Sequence, residues 1–156
     1  MARYQWDDGE KLIQDRDGAR QEYIEAYIAQ VQYMNGKVMT AVREILERSP
    51  SPPVILIQGD HGPGSRFSVK ELEKTDVRER FSILNAYYMP DGGDEVLYES
   101  ISPVNSFRVV LNRYLGTNLP MLEDCSFFNP WFEPYNFIRV SCQPGGTTEL
   151  AGEGVH

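Results

Sequence analysis

The sequence predicts an α/β chain, and three observations predict it. Apolar residues recur every three or four positions between Ala19 and Ile45, the period of a helix with one buried face. A short β-branched run, Val54-Ile55-Leu56-Ile57, follows between prolines and a glycine, as a buried strand does. A second helical period begins at Ser102-Pro103 and ends at Gly116.

The elements follow in chain order. Residues 1–18 are polar, are broken at Asp8-Gly9 and Asp17-Gly18, and read as a loop-like start. The first helix runs from Ala19 on the positions Ile24, Tyr27, Ile28, Val31, Met34, Val38, Val42 and Ile45, and stops near Ser49-Pro50 because Pro52 and Pro53 follow. Gly36 lowers helix propensity by about 1 kcal/mol and predicts a bend, a close contact or a break at Asn35-Gly36. Val54–Ile57, apolar without alternation, predicts a strand covered on both faces in a parallel sheet. Asp76–Arg80 fits one helical turn leading into a second strand over Phe81–Met89, and Pro90-Asp91-Gly92-Gly93-Asp94 forces a turn. Ser102 then caps a helix with proline at its first position, repeating through Val104, Phe107, Val110 and Tyr114. Phe127, Phe128, Trp131, Phe132, Tyr135 and Phe137, interleaved with Pro130 and Pro134, read as a packed cover over the sheet. Phe137–Val140 adds an edge strand, and residues 143–156, rich in glycine, read as a disordered tail. The body of the domain is thus residues 19–142.

Composition excludes several functions. Fifteen Lys and Arg against 23 Asp and Glu give a formal charge of −8, which repels a phosphate backbone, so nucleic acid is not an expected partner. The apolar runs are far shorter than the roughly 20 residues that cross a bilayer, so no membrane span is expected in this chain. The N-terminus carries no apolar stretch of a signal peptide. Cys125 and Cys142 lack metal-binding or redox spacing and read as small buried hydrophobes rather than as a disulfide.

One segment concentrates chemistry: Val54-Ile55-Leu56-Ile57-Gln58-Gly59-Asp60-His61-Gly62-Pro63-Gly64. It puts a carboxylate and an imidazole just past the end of a buried strand, where open α/β sheets place ligand sites. Successive strand side chains point oppositely, so Asp60 and His61 converge only if the backbone has left the strand, which Gly59 and Gly62 permit. An oxygen and a nitrogen donor suit zinc or manganese. By residue type alone, a turn-capping carboxylate beside a hydrogen-bonded imidazole is the commoner arrangement. The other histidine is His156, at the far end of the chain, so further ligands would be carboxylates, with Asp7, Asp8, Asp91 and Asp94 as candidates, or would lie outside it. Pro63 and the lack of a Lys-Ser/Thr pair exclude a phosphate-cradling nucleotide loop. Ser65 and Ser68 have no histidine to activate them, and Arg66 and Arg108 read as surface arginines.

The string Ile55-Leu56-Ile57-Gln58-Gly59-Asp60-His61-Gly62 resembles the Asp-His-Gly motif of the sulfatase-like hydrolase/transferase group of the alkaline phosphatase superfamily. The resemblance continues upstream in the helix with Tyr23, Tyr27, Tyr33 and Asn35, and downstream in Ile83–Pro90 and Ser102–Gly116, covering about residues 20–140. It implies a three-layer αβα, alkaline-phosphatase-like fold of which this chain holds only a part, lacking the N-terminal half. It implies Asp60 and His61 as ligands of a divalent metal ion (zinc, manganese, calcium or magnesium), in a site completed from outside this chain.

The implied parent is a metal-dependent hydrolase or transferase acting on anionic sulfate or phosphate esters, membrane-anchored with its catalytic domain outside the cytoplasm. The family's Thr, Ser or modified Cys nucleophile has no counterpart here, so the chain reads as the C-terminal third of an enzyme and is expected to be inactive alone. An unpaired sheet edge then predicts self-association. Two alternatives stand beside this: a partner-binding module with a degenerate sulfatase-like fold, and a fragment of a transferase of phosphorylated headgroups in envelope assembly.

Overall fold

A computed structural model describes residues 18–143. The loop-like start over residues 1–17 and the tail over 144–156 lie outside the described residues. Helix α1 is Ala19–Arg48, β1 is Ile55–Gln58, α2 is Val77–Phe81, β2 is Asn85–Tyr88, α3 is Pro103–Leu115, β3 is Asp124–Phe128 and β4 is Ile138–Gln143. Single 3₁₀ turns stand at Leu72–Lys74 and Gly93–Val96. The chain is therefore mixed α/β, with its strands in two two-stranded sheets, β1 with β2 and β3 with β4.

Both pairs are antiparallel, which corrects the expectation of a parallel sheet around β1. β1 is also half-buried throughout and not covered on both faces, and its unbroken apolar run does not encode the direction of its neighbour. That is set by how the connection folds, and here residues 59–84, with a 3₁₀ turn and the short α2, bring β2 back alongside β1 in the opposite sense. Ile55 stands opposite Tyr88 and Gln58 opposite Asn85, and the Gly59 N–H donates to the Leu84 carbonyl at 2.8 Å. The second strand is narrower than the apolar run, because Val77–Phe81 is helical, capped by the Asp76 carboxylate accepting from the Glu79 N–H at 3.0 Å.

Helix α1 passes through Asn35-Gly36 without a break, and nothing lies within 4 Å of where a Gly36 side chain would begin. A cost of about 1 kcal/mol does not interrupt a helix of this length. Its first turns hold the loop after β1: Arg20 Nε donates to the Ser65 carbonyl at 3.0 Å and the Gly64 N–H donates to the Tyr23 hydroxyl at 2.9 Å. Farther along, Ile28, Val31, Met34 and Ile45 remain exposed among the described residues. Helix α3 begins at Pro103 and ends on Gly116 in the left-handed region (φ 64°), as its sequence predicts.

The centre of the described region is unusually polar. Its buried hydrophobic side chains are Ala19, Met89, Val109 and Phe128, whereas Asn105 and Ser106 have no accessible surface and Asp124 has 5%. These polar groups are fully partnered, as burial demands. Ser106 Oγ accepts from Gln58 Nε2 at 2.8 Å, meets the Tyr87 hydroxyl at 2.6 Å and donates to the Ser102 carbonyl at 3.2 Å, so it rivets α3 to β1 and β2. Asn105 does the same for the segment before β3, donating to the Leu122 carbonyl at 2.8 Å and accepting from its N–H at 3.0 Å. The aromatic run is not a packed cover: Phe128 is buried in β3, but Trp131, Phe132, Tyr135 and Phe137 are exposed. Cys125 is disulfide-bonded, which corrects its reading as a small buried hydrophobe. The β3–β4 register sets it across from Cys142.

Candidate functional site

The Asp-His-Gly segment leaves β1 and turns at once against α2. Gly62 is what allows the approach: a Cβ there would collide with the Glu79 carbonyl oxygen and lie 2.6 Å from that of Ser82. Its N–H donates to the Arg80 carbonyl at 2.8 Å. Gly59 has no such constraint, since a Cβ there meets only ordinary contacts at 3.6 Å and beyond. Of the two glycines expected to free the backbone, only Gly62 is needed for a close approach.

Asp60 and His61 converge. The Asp60 carboxylate uses Oδ1 to accept from the His61 backbone N–H at 3.0 Å and places Oδ2 3.5 Å from His61 Nε2. A cation bound at about 2.1 Å by two donors in tetrahedral geometry separates them by about 3.4 Å. The 3.5 Å between Oδ2 and Nε2 is close to that separation. The pair is open to solvent, the Asp60 side chain being 88% exposed and that of His61 43%.

Charged groups surround the pair. Arg80, at the end of α2, puts Nη1 2.9 Å from His61 Nδ1 and 3.2 Å from the Gly62 carbonyl oxygen, while its guanidinium lies 4.1 Å over the Phe67 ring. That same carbonyl oxygen is 2.9 Å from Nδ1. Glu79, the neighbour of Arg80, accepts from the Ser65 hydroxyl at 2.9 Å and from its N–H at 3.3 Å. From α1, Tyr27 faces the same place. Burial, then Tyr23 and the Asp60 carboxylate, push its phenol above the ordinary range.

The remaining sequence candidates have structural partners. Ser65 is buried with its proton directed at Glu79, and Ser68 Oγ accepts from the N–H groups of Lys70 and Glu71 at 3.2 Å. Arg108 donates to the Pro120 carbonyl at 3.1 Å, and Arg66 is exposed. Asp91 and Asp94 lie in an exposed turn, and Asp7 and Asp8 are outside the described residues. Among the described residues no three His, Cys, Asp or Glu side chains gather as a metal would require. Sequence reasoning missed Arg80 and Glu79, whose only signal is the helical turn that places them.

Compared with protein family models, with curated proteins and with solved structures, the chain finds no match.

Proposed function

We propose that this chain is the part of a metal-dependent hydrolase or transferase, acting on sulfate or phosphate esters, that supplies two ligands of the metal centre, Asp60 and His61, and not the nucleophile. A single observation carries the reading: Asp60 Oδ2 and His61 Nε2 stand 3.5 Å apart at the end of a strand, at the spacing two donors take around one cation. A carboxylate with an imidazole is a donor set that zinc and manganese accept, and calcium or magnesium would draw mainly on the carboxylate.

When bound, such a cation supplies Lewis acidity to an ester oxygen and charge stabilisation to the leaving group. This chain's own residues do the holding. The His61 N–H fixes the carboxylate through Oδ1 and leaves Oδ2 directed at the ring. Gly62 lets the turn seat against α2, and Glu79 ties down Ser65 behind it. The exposure of both ligands suits a site finished by donors from elsewhere in a larger polypeptide, in the three-layer αβα frame of alkaline-phosphatase-like enzymes. The Cys125 disulfide supports a domain that works outside the cytoplasm.

Calorimetric titration of the chain with ZnCl2 and with MnCl2 tests this. Weak binding at one site, abolished by His61→Ala and by Asp60→Ala, is expected, with no hydrolysis of nitrophenyl sulfate or phosphate. Binding that survives both substitutions would overturn the ligand assignment, and turnover by the chain alone would overturn its role as a partial site.

A further inference from the structure

We propose that Arg80 is a positioning residue for His61: it seats the ring proton on Nε2, against Asp60, and must give up Nδ1 before a divalent cation can occupy the Asp60–His61 edge. The second half rests on the metal-centre reading above, and the first does not.

Three atoms beside the His61 ring form a triangle whose hydrogen-bonding demands cannot all be met. Arg80 Nη1, His61 Nδ1 and the Gly62 carbonyl oxygen lie 2.9, 2.9 and 3.2 Å from one another. The guanidinium can only donate, the carbonyl can only accept, and Nδ1 of a neutral imidazole does one or the other. If Nδ1 bears the proton, it serves Gly62 and opposes the arginine, donor against donor. If Nδ1 is bare, it serves the arginine and opposes the carbonyl, acceptor against acceptor.

Charge decides between them. A hydrogen bond from an ionised donor is roughly twice as strong as a neutral one, so the guanidinium outweighs the carbonyl at Nδ1. At the other side of the ring, the Asp60 carboxylate oxygen is 3.5 Å from Nε2, too long for a full hydrogen bond, so it adds to this preference but does not by itself outweigh the Gly62 carbonyl at 2.9 Å. Both ionised neighbours therefore select Nε2–H, and the Gly62 carbonyl alone opposes them.

A metal reverses the preference, because a cation at Nε2 needs that lone pair. The proton must leave Nε2 and, with the ring kept neutral, arrive on Nδ1, carried by water at this exposed position. There it meets Arg80. The carbonyl that would receive the new Nδ1–H is already in place at 2.9 Å, the usual partner behind a metal-bound histidine. Only the guanidinium has to withdraw. Its stacking on Phe67 gives it a resting surface that does not depend on His61.

Long-range ¹H–¹⁵N spectra of the His61 ring test the first half directly, recorded at about pH 8, above the ordinary histidine range, with His156→Gln removing the other imidazole. The Nε2–H pattern is expected in this background and the Nδ1–H pattern with Arg80→Met, which keeps the aliphatic stem over Phe67. An unchanged tautomer in a folded Arg80→Met would overturn the proposal. Asp60→Asn, at an exposed side chain, guards against failure of that variant to fold: Nε2–H should persist, and a change to Nδ1–H would assign the tautomer to Asp60 and overturn the role of Arg80. Titration with ZnCl2 tests the second half. Arg80→Met should bind severalfold tighter, because the cation no longer faces a like charge or a guanidinium held on Nδ1, and equal or weaker binding would overturn the gating role. A tautomer that changes as expected in a chain that binds no zinc in any form would sink the metal-centre reading and leave the assignment of the proton intact.

Discussion

The Tyr98 hydroxyl donates to Oδ2 of Asp124 across 2.6 Å, joining the segment before α3 to the first residue of β3. The other carboxylate oxygen accepts from the Ser102 N–H at 2.7 Å and from the Ser102 hydroxyl, so the cap serine of α3 is spent on Asp124, not on its own helix. Asp124→Ala strands all of these donors in a buried site and is expected to cost about 3 kcal/mol in urea unfolding. Tyr98→Phe should cost about 2 kcal/mol, since the bond to Asp124 and the one the hydroxyl accepts from Asn105 Nδ2 at 2.9 Å are both lost while the ring stays.

Alkaline pH probes the same bond. Burial first, and then the hydrogen bond to Asp124, hold the Tyr98 phenol well above its ordinary value. The native state keeps this proton where the unfolded chain releases it, so the native state binds more protons above about pH 10 and stability falls as pH rises from there. Below that pH the contribution is fully present. Tyr98→Phe should flatten this alkaline loss, as measured by urea midpoints between about pH 9 and 11. An unchanged slope would detach Tyr98 from it.

Gly62 and Gly59 flank the same two residues but answer differently to a methyl group. Gly62→Ala drives a Cβ into the Glu79 carbonyl and should destabilise by about 2–3 kcal/mol while displacing Arg80 from His61. Gly59→Ala, with its nearest contact at 3.6 Å, should stay within about 0.5 kcal/mol of the parent. Equal effects at the two positions would contradict the packing of the turn on α2.

The difference between those glycines marks how far the sequence could be read. Both long helices and β1 were legible because periodicity, Pro103 and Gly116 are local signals. Asp60 and His61 were legible as a pair because they are adjacent. The Arg80–His61 contact joins positions 19 apart, and the Asn105–Asp124 contact joins another such pair, so neither leaves a trace in local pattern. The antiparallel direction of β1 and β2 and the Cys125 disulfide were missed for the same reason: both depend on a register that forms only once distant segments meet. β3 was hidden in the aromatic run, where Pro130 and Pro134 speak for loop.

Strand β1 has a free edge among the described residues. Because Gly59 bonds to Leu84, the pairs Ile57–Ala86 and Ile55–Tyr88 are the hydrogen-bonded ones, and the backbone groups of Leu56 and Gln58 point away from β2. An apolar strand with such an edge is a template for pairing. Light scattering should show association that grows with concentration, and the Leu56 and Gln58 amides should gain protection from hydrogen exchange as it does. A monomer at all concentrations, with those amides exchanging freely, would show that the edge recruits nothing.

Cys125 adjoins Asp124 in β3, so the disulfide and the buried carboxylate stabilise one strand from two sides. Reduction removes that crosslink from β3, which costs about 2–4 kcal/mol. The two losses should not add. Once β3 is loosened by reduction, the bonds from Tyr98, Ser102 and Asn105 to Asp124 are already partly open, and removing the carboxylate has less left to break. Urea unfolding of the parent and of Asp124→Ala, each with and without dithiothreitol, forms the cycle. A combined loss smaller than the sum is expected, whereas strict additivity would mean that the hairpin and the polar cluster behind α3 are independent.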